Sequence, residues 1–445
     1  MSRLFGTDGI RGIYNKHPIT QEIASRLGYS IVRFCKNQNR NLDIIIGRDT
    51  RGSGKVLEYA LVSGILSAGG NVRLPGVMPT PGVAYLTRSL RATAGIVLSA
   101  SHNPHEYNGF KIFSSEGYKL SEKEESAIEE MVLKDSGSLP RGGFGRVDVL
   151  EQARDKYVSF LIKTIPQKLR DIKIVIDCAN GATFRVAPSL FKKLGLRSEY
   201  LFVTPDGKNI NLNCGSQHTE TLSRRVLESG ADLGLAFDGD GDRLIAVDEK
   251  GSRLTGDQVI TICAKMMKEK KELKNDIVVS TVMSNMGLGS ALKEMEIDHV
   301  ASAVGDRFVV EEMKKRNSVL GGEDSGHIIF LNHHTTGDGL LTALQLLYAV
   351  TLFNRPLSEL STLMTIYPQT LINVPVKKKP DFSLVPEIFK VIREAESKLG
   401  DEGRILVRYS GTEPLCRVMV EGKRKKDIEE HARVIAEVVS KELNA

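Results

Sequence analysis

Apolar positions along this chain gather into short unbroken runs, each followed by a loop rich in glycine, aspartate or serine and then by a stretch with helical spacing. The arrangement occurs three times. Residues 43–46 (Asp-Ile-Ile-Ile) lead through 47–50 into a helical pattern over 56–66, a stop at Ala68-Gly69-Gly70 and a second run at 72–74. Residues 172–176 lead through 177–181 to a helix over 187–194, stopped at Gly195. Residues 277–280 lead through 283–287 to a helix ending near Met295, with His299-Val300 beyond. Strands that are apolar on both faces need cover on both faces, so these runs predict parallel strands alternating with helices. Their wide spacing predicts separate α/β domains instead of a solenoid.

The last 80 or so residues follow another pattern. Residues 404–408 and 417–421 alternate like antiparallel strands with one solvated face, and 425–443 are amphipathic at the helical period. The fold class is therefore α/β, with three similar mixed α/β domains and a smaller α+β domain at the C-terminus. Breaks at 136–145, 249–252 and 364–374 predict domains over 1–150, 151–252, 253–368 and 369–445.

Composition narrows the function classes. At 41% hydrophobic and 26% charged, the 445 residues exclude a disordered, collagenous or coiled-coil chain. The net charge of +6 is scattered, and the basic runs at 268–274, 377–379 and 423–426 read as solvated faces, so no nucleic-acid partner is expected. Five dispersed cysteines with no C-x-x-C pair predict a reducing compartment without disulfides or structural zinc, with Cys178 and Cys263 in the core. The first residues lack the apolar run of a signal peptide. The most apolar stretch, 340–353, is interrupted by Thr342, Gln345 and Thr351. It falls short of the roughly 20 residues that span a bilayer and predicts a buried helix. A cytoplasmic protein with no membrane partner is expected.

Several loops carry chemistry. Asp238-Gly239-Asp240-Gly241-Asp242-Arg243 follows an apolar strand, and its alternate carboxylates project to one side while the glycines let them converge. Three converging negative charges call for a hard divalent cation. The spacing also matches an EF-hand at four places, but Arg243 stands where that loop needs glycine and both flanks read as strands. Ser99-Ala100-Ser101-His102-Asn103-Pro104 follows another apolar strand; it is either a turn or a loop presenting a nucleophilic or phosphate-carrying hydroxyl, with Lys111 supplying positive charge. The polar loop 321–327 carries Glu323, Ser325 and His327, groups suited to sugar hydroxyls and proton transfer. Arg408-Tyr409-Ser410-Gly411-Thr412-Glu413-Pro414, with Arg417 beyond, offers a guanidinium fork, hydroxyls and an accessible backbone to an anion. Residues 6–12, with Arg11, form a glycine-rich loop around a cation.

Taken together and in this order, these loops resemble the α-D-phosphohexomutase family from end to end. The segments 4–12, 281–287 and 408–414 are most similar to its glucosamine-phosphate branch. The resemblance implies four domains around a central cleft and a reversible mutase. Phospho-Ser101 would give its phosphoryl group to glucosamine 6-phosphate or glucosamine 1-phosphate and recover it from a glucosamine 1,6-bisphosphate intermediate, in the supply of UDP-N-acetylglucosamine for cell-wall precursors. It further implies one Mg²⁺ per chain, held by Asp238, Asp240, Asp242 and the Ser101 phosphate. Lys111, Arg243 and His327 would act at the transferring phosphate, with Lys111 and His327 both open as general base. Arg11, Glu323 and Ser325 would face the sugar, and Arg408, Ser410, Gly411, Thr412 and Arg417 would clamp the distal phosphate. A hexosamine phosphate is the implied partner, and a homodimer stays open. Asp324 stands where the branch is expected to carry an amide; either it or Glu323 could accept the sugar's ammonium, or Asp324 points to solvent, as a loop aspartate commonly does. Tyr409 is an unusual choice in the clamp. The alternatives are a mannose- or glucose-phosphate mutase of the same family, or a non-catalytic sugar-phosphate sensor, which would not need Ser101 and a complete aspartate trio.

Overall fold

The structure is a computed structural model that describes residues 4–6, 8–36, 42–134, 144–166, 168–410 and 414–444. Among these, the strands form four sheets. The first contains β1 (Ile10–Ile13), β2 (Asp43–Arg48), β3 (Asn71–Val77), β4 (Ala94–Leu98), β5 (Tyr107–Ser114) and β6 (Val147–Val149) in the order β1-β5-β4-β2-β3-β6. The second contains β7 (Lys173–Asp177), β8 (Arg197–Leu201), β9 (Leu233–Phe237) and β10 (Leu244–Asp248) in the order β10-β9-β7-β8. The third contains β11 (Ile277–Thr281), β12 (Asp298–Ser302), β13 (Leu320–Gly322) and β14 (Ile328–Phe330) in the order β12-β11-β13-β14. The fourth, β15 (Gln369–Pro375), β16 (Gly403–Tyr409) and β17 (Leu415–Gly422), is antiparallel throughout, with β17 in the centre.

The three repeated runs are thus parallel strand–helix–strand units: β2 with β3, β7 with β8 and β11 with β12. In each α/β sheet one parallel strand then pairs with an antiparallel neighbour, β4 with β5, β9 with β10 and β13 with β14. The connections across these pairs are 99–106, 238–243 and 323–327, so the three chemistry-bearing loops occupy equivalent places. Each leaves the carboxyl end of a parallel strand, where α/β sheets commonly bind ligands.

The described chain divides into two compact units, Met1–Met283 with Glu296–Leu363, and Ser284–Met295 with Met364–Ala445. In the first, the strands β2, β4, β7 and β9 are buried almost throughout. The apolar helix Gly339–Phe353 is buried over most of its length, as its sequence predicts, and no described helix is long and apolar enough to cross a membrane. In the second, the helices Pro386–Leu399 and Lys425–Asn444 pack on the antiparallel sheet around Val418, Val420, Ile428 and Ile435. The helix Met286–Glu294 belongs here because its first turn is tied to this sheet: the Met286 amide donates to Glu421 Oε1 at 2.9 Å, and Asn285 Nδ2 donates to the Tyr367 carbonyl at 2.9 Å. All five cysteines are buried, Cys178 and Cys263 in the core as the sequence predicts.

Candidate active site

Ser101 sits three residues beyond β4, fully buried, in the left-handed backbone region at φ 52°. Its Oγ donates to Asp238 Oδ2 at 2.6 Å and lies 3.4 Å from His102 Nδ1. Asp238, Asp240 and Asp242 follow β9 directly, and one carboxylate oxygen of each lies within 4.8 Å of the others. Gly239 permits this approach, since a Cβ there would stand 2.6 Å from the Ser101 carbonyl oxygen, and Gly241 supplies a φ of 73°. The loop's backbone is anchored on both sides: the Ala182 amide donates to the Gly239 carbonyl at 2.8 Å, and the Gly339 amide to the Gly241 carbonyl at 3.0 Å.

Lys111 Nζ, almost wholly buried, donates to Asp240 Oδ2 and Asp242 Oδ2, each at 2.8 Å. Against the cost of burial, Asp240, Asp242 and Asp8 raise its pKa well above the ordinary value, so it is held protonated. Burial, and then the charges of Asp242 and Asp240, push the Asp238 carboxyl well up. Asp242 goes the other way: burial opposes it, but Lys111, His327 and Arg243 hold its carboxyl below the usual range. Asp240 Oδ1 and Asp242 Oδ1 are buried without a hydrogen-bond partner. Convergent carboxylates with unsatisfied oxygens fit a hard divalent cation.

Beside this trio a cavity of about 220 Å³ is lined by Asp8, Arg11, Lys119, Asp242, Arg243, Val304, Gly305, Asp306, Glu323 and His327. His327 Nε2 lies 3.8 Å from Asp306 Oδ2 and 4.0 Å from Asp242 Oδ2. Burial pushes the Glu323 carboxyl up. Lys119 Nζ bridges Asp8 and Asp306 Oδ2, the latter at 2.5 Å, and Arg11 pairs with Asp8. The structure therefore brings Ser101, Lys111, Arg243, His327, Arg11, Glu323 and the three aspartates together within one unit.

One expectation needs correction. Arg11 lies on strand β1, paired with Gly109, because antiparallel pairing with β5 draws 10–13 into the sheet; a glycine turn remains only before it, where Gly6 bridges Gly9. Of the two directions the sequence leaves open to Asp324, the structure shows the solvent-facing one: it is exposed and does not line the cavity, and its carbonyl accepts from the Gly256 amide at 2.9 Å. Ser325 does not line the cavity either, although its Oγ is buried without a partner. Sequence reasoning missed Lys119 and Asp306, single charges in unremarkable surroundings, and gave no role to Asp8 within the glycine-rich segment 6–12.

The second unit carries the terminal loop. Arg408 on β16 and Arg417 on β17 are cross-strand partners, both half-buried. Burial and the neighbouring Arg417 lower the Arg408 pKa. Directly opposed like charges destabilise a sheet unless an anion joins them. Ser410 follows, its carbonyl accepting from Lys379 Nζ at 2.7 Å. Tyr409 alternates to the other face, where its ring stacks on Phe382 at 4.4 Å and its hydroxyl donates to the Pro380 carbonyl. That accounts for its presence between Arg408 and Ser410: it is a core residue. Gly411 and Thr412 lie outside the described residues.

Models of the phosphoglucomutase/phosphomannomutase family match nearly the whole chain: alpha/beta/alpha domain I over 2–138, domain II over 155–251, domain III over 255–367 and the C-terminal domain over 371–438. The chain belongs to this family, and with it to the phosphohexomutase enzymes that its motifs resemble. Among individual relatives, it is 54% identical to the phosphoglucosamine mutase of Syntrophus aciditrophicus (strain SB) over 100% of both chains, and 52% identical to that of Syntrophobacter fumaroxidans over 99% of both. A phosphoglucomutase/phosphomannomutase family protein from Burkholderia thailandensis shares the fold, with a TM-score of 0.84 at 24% identity over 100% of this chain and 99% of that one.

Proposed function

We propose that this enzyme interconverts glucosamine 6-phosphate and glucosamine 1-phosphate by way of phospho-Ser101 and glucosamine 1,6-bisphosphate. The observation that carries the reading is the Ser101 hydroxyl, 2.6 Å from Asp238 in a buried aspartate trio that also holds Lys111. The full-length likeness to relatives named phosphoglucosamine mutase supports the sugar.

In the first half-reaction the free hydroxyl of the sugar phosphate bonds to phosphorus as the Ser101 Oγ–P bond breaks. Lys111, kept protonated by its aspartate neighbours, stabilises the charge left on Oγ; His327, which lines the cavity, takes the hydroxyl proton. The bisphosphate then returns its other phosphoryl group by the reverse steps. Asp238, Asp240 and Asp242, with a phosphoserine oxygen, would hold one Mg²⁺, which supplies charge neutralisation at the transferring group. Phosphoryl transfer of this kind depends mainly on positioning and electrostatics. Arg243 contributes charge, Arg11 and Glu323 face the sugar, and Arg408, Ser410, Gly411, Thr412 and Arg417 take the distal phosphate. The carboxylates of Glu323 and Asp306 suit the ammonium at carbon 2 through charge-assisted hydrogen bonds. The reading keeps four domains divided at 150, 252 and 368, and a cytoplasmic setting, which the dispersed, buried cysteines favour.

Mass spectrometry of the purified enzyme should place one phosphate on the Ser101 peptide, and Ser101→Ala should lose nearly all turnover while staying folded. Full activity in that variant overturns the covalent route. In a coupled assay, equal or better turnover of mannose or glucose phosphate overturns the sugar assignment.

A further inference from the structure

We propose that Arg51 is a positioning residue for phosphoryl transfer, fixing the loop that presents Ser101 without itself reaching the phosphate; this rests on the phosphoserine reading above. Arg51 follows β2 and is about 1% exposed. A guanidinium has five N–H donors, and each has an acceptor here. Nε donates to Asp49 Oδ2 at 2.8 Å. Nη2 donates to the carbonyls of Ser101 at 3.0 Å and Asn103 at 2.8 Å. Nη1 donates to the carbonyls of Tyr107 at 3.0 Å and Pro104. Three of the five acceptors are main-chain oxygens of the connection between β4 and β5 and a fourth is that of Tyr107, the first residue of β5, so the planar fork works as a template for that loop.

The same assembly holds Ser101 from its other side. Asp49 Oδ2 accepts from Ser99 Oγ at 2.6 Å, and Ser99 Oγ accepts the Ser101 amide at 3.0 Å. Asn211, from the loop beyond β8, adds Nδ2 donations to the carbonyls of Ser101 at 2.8 Å and Asn103 at 3.1 Å. Both main-chain polar groups of Ser101 are therefore fixed, and its side chain is left to face Asp238. A non-glycine residue at φ 52° persists when its surroundings over-determine it, and such strain concentrates at functional sites. With all five donors engaged, Arg51 has none for a ligand; its influence passes through the loop. A lysine keeps the charge but places three donors around one point, which cannot span these carbonyls.

The test uses the full-length enzyme with Arg51→Lys and Asn211→Gly, the second preserving a position whose φ of 58° glycine adopts freely. Phosphoserine occupancy, kcat, KM and the unfolding midpoint are measured on each. In Arg51→Lys, kcat per phosphorylated molecule should fall by about 10²-fold, the scale of a misplacement of about 1 Å at the reacting centre. In Asn211→Gly it should fall by about tenfold, and KM should move by less than about threefold in both, because the groups contacting the sugar are untouched. A folded Arg51→Lys enzyme with unchanged kcat overturns the proposal. If that variant does not fold, unchanged kcat in Asn211→Gly overturns it. An active Ser101→Ala enzyme removes the phosphoserine reading and this one with it, whereas an inactive one beside fully active loop variants removes this one alone.

Discussion

At Asp238, Asp240 and Asp242 three like charges are buried together, and the chain answers them with an internal cation, Lys111, 2.8 Å from two of them. At Arg408 and Arg417 two like charges also face each other, but half-buried across an antiparallel pair, with burial and mutual repulsion lowering the Arg408 pKa. The first arrangement is organised before substrate arrives: Thr80, Ser101, Lys111 and the Arg243 amide hold four of its oxygens, and Asp240 Oδ1 and Asp242 Oδ1 are left for a cation. The second is electrostatically improved by whatever anion it meets. On the proposed reading, the transfer step falls to the fully buried charges, and recognition of a phosphate accepted in two orientations falls to the half-buried pair.

The sharpest way to break this contrast is at the trio. Chelation should abolish turnover and Mg²⁺ restore it, and Asp240→Asn should lower kcat by about 10²-fold, the usual effect of losing one preorganised electrostatic group. A rate indifferent to chelation would make the trio structural. At the terminal hairpin, Arg408→Ala should raise KM by about tenfold, in line with losing a hydrogen bond to a charged group. Its unfolding midpoint should hold or rise, since Arg417 loses a like-charged partner; a large destabilisation would show that the hairpin charges are structural after all.

A smaller effect concerns the sugar. Glucosamine phosphate should beat glucose phosphate in kcat/KM by at least about tenfold, roughly 1.4 kcal/mol in transition-state binding. Asp306→Asn should shrink that ratio, and Asp324→Asn, on an exposed side chain, should leave it unchanged. The smallest effect tests burial without chemistry. Asp338 caps the helix Gly339–Phe353 through the Leu341 amide and accepts from Tyr157 Oη at 2.8 Å, and burial pushes its carboxyl up to about 7. The folded state thus holds this proton more tightly than the unfolded chain, whose aspartates titrate near about 3.9. Stability from this group is full below that value and is lost as pH rises toward about 7. Thermal scans of Asp338→Asn should show a shallower decline over that window than the parent; an identical slope would refute the shift.

What the sequence made legible follows from locality. The parallel strand–helix units announce themselves because strands buried on both faces are apolar at every position, as at 44–46 and 174–176. The aspartate trio is readable because its members alternate within five residues. Lys119 and Asp306 are not: each is one charge in an ordinary stretch, and with Asp8, from the glycine-rich segment 6–12, they meet only when β1, β5 and β12 bring residues more than 100 apart to one cavity. Arg51 hid for the same reason, inside a strand-end loop whose partners lie about fifty positions on. Residues 364–374 read as a boundary because β15 alternates exposed and half-buried positions, a weak pattern at a sheet edge. The direction of Asp324 stayed open because a carboxylate in a loop carries no local sign of which way it points.

With Ser101 as the proposed phosphate carrier, its left-handed backbone restricts which alcohol could take that place. Serine and threonine esters are chemically near equivalents, and an alcohol of either kind could ferry a phosphoryl group. A second substituent on Cβ, however, makes φ 52° a genuine outlier, so threonine would have to reshape the turn before it could serve. The main chain, not reactivity, decides between the two alcohols: an exchange that looks neutral on paper is closed to this lineage unless residues 99–104 change their path at the same time.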